Sequence, residues 1–399
     1  MNFSIYIAKR YLFAKSKNKA INYITAIAIT GIIVGTAALF IVLSGASGLK
    51  SFTLKFTNLS DPDIKLLPTQ HKTFKFKNDQ AEKLKKINGI ASFSEIVEDK
   101  ALMRCEDKFL SVELKGVDVN YPKKTIDSIL VYGDWFDQKS AHTVAGWGVS
   151  NSLGFNTYDL TKTIRLYVPK PGTGQILSPR NAFRSTKVSN VGIFFINDDL
   201  NNSLVFTGIE NARYIFSVDN ESVSSIEITL EGKSYSSEVK EELEELFKGG
   251  VLIKDRAQLN EALYKMLNTE QLVVYLIFTL ILIIALFNII GSIIMIIIDK
   301  RKNIKTLFSL GATKKRIQNI FFLQGLLMTF FGGSIGLFIG FIVVLLQQQF
   351  NLIFIAETIP YPVDLNWNNV TISFLTILTL GLFASFLASA SVRKFDYSD

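Results

Sequence analysis

Few residues in this chain have the types and spacing that catalysis needs. His71 and His142 lie far apart in the sequence and fit no metal-ligand spacing, so both are expected to be ordinary surface residues. The single cysteine, Cys105, follows strand-like residues and is expected to be a small packed side chain. The chain contains neither a P-loop motif nor a G-x-S-x-G motif. The sequence therefore predicts no catalytic residue, no metal site and no directly bound cofactor.

The distribution of charge places the chain in the membrane class. Four long runs contain no charged residue: Ala20–Leu49, Gln271–Ile298, Ile317–Ala356 and Leu365–Val392. A helix needs about 20 apolar residues to cross the hydrocarbon core, so each run can hold one span. None of the four predicted spans contains Asp, Glu, Lys, Arg or His in its core, which argues against an ion channel, a proton relay or a proton-coupled transporter.

The basic residues predict the orientation of these spans. Residues 1–21 carry 5 basic and no acidic groups, and residues 299–317 carry 7 basic groups and one acidic group. By the positive-inside rule both segments and both termini are cytoplasmic, and the net charge of +8 is a topology signal that does not favour a nucleic-acid partner. The expected order is a cytoplasmic segment (1–21), a first span (22–48), an exported domain (49–270), a second span (271–298), a cytoplasmic loop (299–317), a third span (318–347), a short periplasmic loop (348–369), a fourth span (370–392) and a cytoplasmic tail (393–399).

The exported domain reads as α+β. Its first residues alternate in a strand-like way at 52–57, 63–67 and 73–77, and strands are expected again near 101–104, 109–115 and 222–230. Helices are expected over 79–87 and 236–247, and a further helix from Ala257 is expected to continue into the second span. Strands that outnumber helices without regular alternation predict an α+β fold.

The cytoplasmic loop contains a short basic helix with an apolar stripe. Ile304, Leu307 and Phe308 fall at i, i+3 and i+4, on one face of the helix. Gly311 can end that helix in a left-handed conformation, and Thr313 can cap the next one. An apolar, cationic segment on the cytoplasmic side is suited to contact another protein, and a basic connector lying among lipid headgroups is the alternative.

Small residues mark helix contacts within the spans. Gly31 and Gly35 form a G-x-x-x-G pattern in the first span, and Gly332, Gly336 and Gly340 share one face of the third. These glycines predict close helix packing within one subunit or, alternatively, at a dimer interface. Ser44–Gly48 form a small, weakly polar face at the end of the first span, which is a candidate border for an acyl-chain cavity.

The order of these parts resembles the FtsX/MacB-type permease superfamily of ABC transporters. The resemblance is carried by Asp299–Ile304, Ser309–Thr313, Arg316-Ile317, Ile320-Phe321, Gln324-Gly325 and the three glycines of the third span. It implies a MacB-like periplasmic core domain and a loop that docks on a separate cytoplasmic ABC ATPase dimer, where ATP and Mg²⁺ are bound. The implied ATPase-coupling residues are Asn303, Ile304, Leu307, Phe308, Gly311, Ala312, Thr313 and Arg316.

Within this superfamily the chain is most similar to the lipoprotein-releasing LolC/LolE family. The similar stretches include Ile29–Gly35, Leu43–Gly48, Val112–Asp118, Ile164–Pro169 and Ile359–Trp367. The resemblance implies a non-catalytic inner-membrane permease that pairs with a second copy or a paralogue and passes a lipoprotein to a periplasmic carrier. The implied acyl-chain cavity is formed largely by the first and second spans of two permeases. Its lining candidates are Ile32, Gly35, Leu39, Val42 and Leu43, with Ile277, Leu280 and Ile284 opposite.

Two other functions stay open from the sequence. A MacB-like efflux permease has the same parts and would need a separately encoded ATPase. An FtsX-type signalling protein, which controls a cell-wall hydrolase and moves no substrate, has a smaller exported domain. The identity of the substrate and the choice between a LolC-like, a LolE-like and a homodimeric role are not specified by these residues.

Overall fold

The computed structural model describes residues 3–13, 19–57, 61–159, 161–170, 182–232, 236–356 and 359–394. Two compact units share the chain. Residues 1–52 and 265–399 form the membrane unit, and Thr53–Tyr264 form the exported domain. Four helices in the described part of the chain are long and apolar enough to cross a membrane, which confirms the predicted fold class.

The membrane unit contains helices α1 (Phe3–Phe13), α2 (Lys19–Thr57), α10 (Glu261–Asp299), α11 (Arg301–Ser309), α12 (Lys314–Phe350) and α13 (Trp367–Ala390). The candidate spans are α2, α10, α12 and α13. After α12 comes a hairpin of two short strands, β13 (Phe354–Ala356) and β14 (Ile359–Pro360), and a 3₁₀ turn at Ser391–Lys394 follows α13. Helix α10 begins at Glu261, after a break at Asn260, so the predicted continuous helix from Ala257 is divided.

Glycines allow the spans to pack closely within one chain. A side chain on Gly336 would overlap the backbone carbonyl of Ile33, and a Cβ on Gly332 would lie 3.2 Å from Ile32. In the same way a Cβ on Gly35 would lie 2.9 Å from Leu282 of α10. Because α2 packs against α10 and α12 through these residues, the structure supports the intrasubunit alternative for both glycine patterns.

The exported domain is built on a mixed ten-stranded sheet, which the following strands form: β1 (Ile64–Pro68), β3 (Ile90–Cys105), β4 (Lys108–Val117), β5 (Leu130–Gly133), β6 (His142–Gly146), β7 (Ile164–Pro169), β8 (Phe183–Phe194), β9 (Leu204–Gly208), β11 (Ser225–Leu230) and β12 (Val251–Asp255). The short strands β2 (Phe74–Lys75) and β10 (Ser222–Val223) pair separately. The helices are α3 (Asn78–Leu84), α4 (Lys123–Ile129), α5 (Trp147–Leu153), α6 (Asp198–Ser203), α7 (Ile209–Phe216), α8 (Ser236–Phe247) and α9 (Arg256–Leu259).

Six strands of this sheet pair in a closed circuit. The order is β3, β4, β9, β6, β8 and β7, and β7 pairs again with β3. Inside the circuit lies an apolar cluster that includes Met103, Cys105, Leu114 and Leu166. Strands β12, β1 and β11 extend the sheet beyond β3, and a second cluster packs there against α3 and α8. A third cluster, which includes Ile96, Val117, Val144 and Phe206, packs against α4 and α6. The described part of the domain therefore has three main apolar cores, and β3 contributes to each of them.

One predicted strand is wrong. Residues 52–57 alternate between apolar and polar side chains, but they form the last turns of α2. Extending an existing helix adds one hydrogen bond for each residue fixed, whereas a new strand needs a partner. The helix over 236–247 has the predicted bounds, and the helix predicted over 79–87 covers Asn78–Leu84.

Candidate functional site

The segment that joins α11 to α12 has a defined backbone geometry. The Ala312 N–H donates to the Leu307 carbonyl at 3.0 Å, and the Gly311 N–H donates to the Phe308 carbonyl at 2.9 Å. This pair of bonds is the Schellman arrangement, and it requires the left-handed conformation that Gly311 adopts at φ +90°. The Arg316 N–H then donates to Thr313 Oγ1 at 3.3 Å, which caps α12. Both backbone roles expected of Gly311 and Thr313 are present.

The side chains of the predicted apolar stripe of α11 differ in burial. Ile304 is fully buried among the span residues Ile297, Ile317 and Phe321. An ATPase cannot reach this side chain without displacing α11, so its predicted role as a contact is corrected to that of an anchor. Phe308, in contrast, is 38% exposed.

The other predicted coupling residues also differ in how far they are buried. Leu307 is half-buried and Ala312 packs against the core of the membrane unit, whereas Asn303, Gly311, Thr313 and Arg316 are exposed. The prediction missed Leu310, which is 79% exposed beside Phe308. The signal was its place just before the helix-ending Gly311, where a side chain projects from the end of the helix.

The acyl-chain candidates do not form one surface. Ile32, Leu39 and Leu43 are buried in the core of the membrane unit. Gly35 faces Leu282 of α10 and Val42 is half-buried. The opposite set, Ile277, Leu280 and Ile284, is more than half exposed and points away from this core.

The predicted cavity lies between the first and second spans of two permeases, so its two facing walls stay a prediction. The residues of α10 that are buried in the core are a different set: Leu282, Leu286, Ile289, Ile293, Ile296 and Ile297. The exposed set of α10 stays available to lipid, to substrate or to a second permease.

The small face at the end of the first span is covered. A Cβ on Gly45 would lie 3.2 Å from Tyr361 Cε1, and a side chain on Gly48 would overlap the backbone of Pro362. The Asp364 N–H also donates to the Ser44 carbonyl at 3.0 Å. In this conformation, therefore, Ser44–Gly48 do not border an open cavity.

The exported domain contains a buried network of two lysines and two glutamates. Lys115 Nζ lies 2.7 Å from Glu227 Oε1, and Lys65 Nζ lies 2.7 Å from Glu98 Oε1 and 3.2 Å from Glu227 Oε1. Burial alone would raise the pKa of Glu98, but the ammonium groups of Lys65 and Lys115 hold it below its ordinary value. The network has no net charge, and it links β1, β11, β3 and β4.

Several other titratable groups of the exported domain respond mainly to burial. Burial raises the pKa of Tyr121, whose ring lies 5.5 Å from Lys115 Nζ, to about 12. It also raises the pKa values of Asp61 and Asp118 and that of the Cys105 thiol. Cys105 is buried as predicted, and no group of three or more metal-ligating side chains occurs among the residues that the structure describes.

Four membrane helices, a short basic helix anchored on them and an exported α+β domain define a polytopic membrane protein. The model of the MacB-like periplasmic core domain matches residues 25–246, which is more than half of the chain. The model of the FtsX-like permease C-terminal region matches residues 275–396. The chain therefore belongs to the family of FtsX-like permeases with a MacB-like periplasmic core domain.

Curated relatives match over most of the chain. The lipoprotein-releasing system transmembrane protein LolC of Neisseria meningitidis serogroup B is 24% identical over 347 residues, which cover 84% of this chain and 80% of that protein. The lipoprotein-releasing system transmembrane protein LolE of Haemophilus influenzae is 22% identical over 424 residues, which cover 99% and 98%. The periplasmic region of MacB from Actinobacillus actinomycetemcomitans superposes with a TM-score of 0.36 at 13% identity, covering 50% of this chain and 92% of that one.

Proposed function

We propose that this permease is the membrane subunit of an ABC transporter that extracts lipoproteins from the inner membrane and passes them to a periplasmic carrier. The main support is the likeness to lipoprotein-releasing proteins along 84% to 99% of the chain. A separate ATPase dimer supplies the energy, and the permease pairs with a second copy or a paralogue. Withdrawing an acyl chain from lipid costs on the order of 0.8 kcal/mol per CH₂, so extraction needs both ATP and an apolar holding surface.

The coupling step is assigned to α11 and the turn after it. Ile304 anchors this helix in the membrane unit, while Phe308 and Leu310 present apolar surface to solvent. Exposed lysine and arginine side chains surround that surface. A partner that moves α11 would transmit the displacement to the spans, because Ile304 belongs to the same buried apolar cluster as residues of α10 and α12.

The docking surface is tested by adding a charge to it. Phe308→Asp and Leu310→Asp should each abolish co-purification of the ATPase, because a buried unpaired carboxylate is costly. Both positions are exposed in the permease, so its own fold should be retained. Ser309→Asp is the matched control, since it adds the same charge between them without removing an apolar contact. Equal loss of the ATPase from Ser309→Asp would contradict an apolar contact.

The topology is a separate part of the proposal, with both termini and α11 cytoplasmic. Single cysteines at Ser128 and Ser309, introduced after replacing Cys105, should react differently with an impermeant thiol reagent in intact spheroplasts. We expect labelling at Ser128 alone. Labelling at Ser309 would refute the orientation.

The substrate contact is reassigned to the exposed face of α10. A photo-crosslinker at Leu280, which is exposed, should capture a triacylated lipoprotein in the nucleotide-free complex. The same group at Leu286, which is buried on another face of the helix, is the control and should not capture it. Capture of phospholipid alone at Leu280, with undisturbed lipoprotein sorting after depletion of the protein, would favour the efflux alternative.

A further inference from the structure

The chain forms an apolar hairpin where it leaves the third span. Asn351 ends α12 in a left-handed conformation at φ +48°, and β13 and β14 then pair antiparallel. We call the described residues 350–356 and 359–363 the exit hairpin. None of these described residues is charged, whereas Glu357 lies between the two strands in the sequence. Five large apolar side chains are more than half exposed: Phe350, Leu352, Ile353, Phe354 and Ile355. Such a concentration of exposed apolar surface marks an interaction site.

Backbone groups of the hairpin are satisfied by a buried glutamine. Gln347 Nε2 donates to the Ile353 carbonyl at 2.9 Å and to the Tyr361 carbonyl at 3.1 Å, while Gln347 Oε1 accepts from the Ile353 N–H at 2.9 Å. The Tyr361 N–H also donates to the Ile353 carbonyl at 2.8 Å. Non-helical backbone is tolerated at membrane depth only where its polar groups find protein or water partners, and these four bonds supply protein partners.

The apolar surface of the hairpin continues that of the third span. Phe338, Ile342 and Leu346 are exposed at intervals of four residues along α12, and Phe350 extends the same row. The first three belong to a helix that is long and apolar enough to span a membrane, so lipid is the expected environment of their exposed side chains. The exposed apolar surface of the described hairpin residues continues this row, so it is suited to the same environment.

The inner side of the hairpin holds the first span. Tyr361 and Pro362 pack on Gly45 and Gly48. Beside them, Asn369 Nδ2 donates to Ser47 Oγ at 2.9 Å. We propose that the exit hairpin is inserted in the periplasmic leaflet, with its outer side against lipid acyl chains, and that it fixes the end of the first span from there. This proposal does not depend on which substrate the permease moves.

Fluorescence quenching tests the insertion in the full chain. An environment-sensitive NBD group is attached to Leu352→Cys in a Cys105→Ala background, and the protein is placed in nanodiscs of phosphatidylethanolamine and phosphatidylglycerol. Phe338→Cys serves as the lipid-facing control and Val119→Cys, in the exported domain and 77% exposed, as the aqueous control. We expect doxyl groups attached to the lipid chains to quench the fluorophore at Leu352, as at Phe338, and iodide to quench only at Val119.

Two outcomes would overturn the insertion. Quenching of the Leu352 fluorophore by iodide to the extent seen at Val119 would place the hairpin in water. Quenching by neither agent would place it under another protein or a second copy of the chain.

A second comparison tests the role of the glutamine. Gln347→Ala should accelerate hydrogen exchange of the Ile353 amide about tenfold, because that N–H loses its acceptor. It should also weaken lipid quenching at Leu352. Gln348→Ala is the matched control, since Gln348 is the adjacent, exposed glutamine. Equal exchange rates in the two variants would show that Gln347 does not satisfy the backbone hydrogen bonds of the hairpin, and this would overturn the proposed insertion.

Discussion

Replacing Lys115 with methionine should destabilise the exported domain far more than replacing Lys72 with methionine. Both lysines form a short ion pair, since Lys115 Nζ lies 2.7 Å from Glu227 and Lys72 Nζ lies 2.6 Å from Asp99. Their surroundings differ. The side chains of Lys115 and Glu227 are 9% and 5% exposed, whereas those of Lys72 and Asp99 are 82% and 34% exposed. The two variants therefore compare nearly the same contact inside and outside the protein.

The expected magnitude follows from what each variant leaves behind. Removing one partner of a buried pair costs about 3–5 kcal/mol, because the other charge stays buried without compensation. Glu227 keeps Lys65 at 3.2 Å, so the lower end of that range, about 3 kcal/mol, applies to Lys115→Met. Lys72→Met breaks an exposed pair, and such pairs contribute about 0.2–1 kcal/mol.

Hydrogen exchange of the full chain in nanodiscs measures the difference. The measurement uses peptides that cover β4 and β11. If their amides exchange through an opening equilibrium, lowering the free energy of opening by about 3 kcal/mol makes exchange roughly 100-fold faster. Lys72→Met should change these rates by about fivefold at most. Similar rates in the two variants would refute the argument that burial determines the contribution of the network.

Two further predictions concern the same fold. Because the pKa of Glu98 is depressed in the folded state, its contribution to stability is present above its ordinary value of 4.5 and is lost as the pH falls through the folded-state pKa. Between about pH 5 and pH 3, the melting temperature of Glu98→Gln should therefore fall less steeply than that of the wild type. Asp61 and Asp118, whose pKa values are raised, are present in both proteins, so their effects cancel in this comparison. Parallel curves would contradict the prediction. Gly336→Leu should lower the thermal stability of the detergent-solubilised chain by about 1–3 kcal/mol, because its side chain meets the backbone of Ile33. Gly291→Leu, where no atom lies within 4 Å of the added Cβ, should change stability by less than about 0.5 kcal/mol, and equal losses would show that the close approach does not matter.

The sequence predicted the features that depend on composition and on local backbone chemistry. The number of membrane helices followed from the uncharged runs, because a soluble fold does not require uncharged segments of this length. Gly311 and Thr313 gave the boundary between α11 and α12, because helix ends have specific backbone requirements. The strand predicted for Phe52–Thr57 was wrong, because the alternation of its residues was read without considering that the preceding long helix could continue through them.

The faces of the spans could not be predicted in the same way. In water the polar side of an amphipathic helix identifies the apolar side as buried, but lipid accepts apolar side chains on every face. Ile32 and Ile284 are therefore equivalent in sequence, although the first is fully buried and the second is exposed. Only the glycines distinguished the faces, because close helix contact excludes larger residues whatever the solvent.

The converse problem applies to the charges of the exported domain. In a strand, a lysine or glutamate normally marks the face in contact with water, so Lys65 and Glu227 gave no indication of burial. Their register places them directly opposite each other on β1 and β11, and Glu98 and Lys115 are directly opposite on β3 and β4. Four charges that cancel can be buried together where any one of them alone could not. Burial of a charged residue is thus a property of the strand pairing, and it becomes predictable only once the order and register of the strands are known.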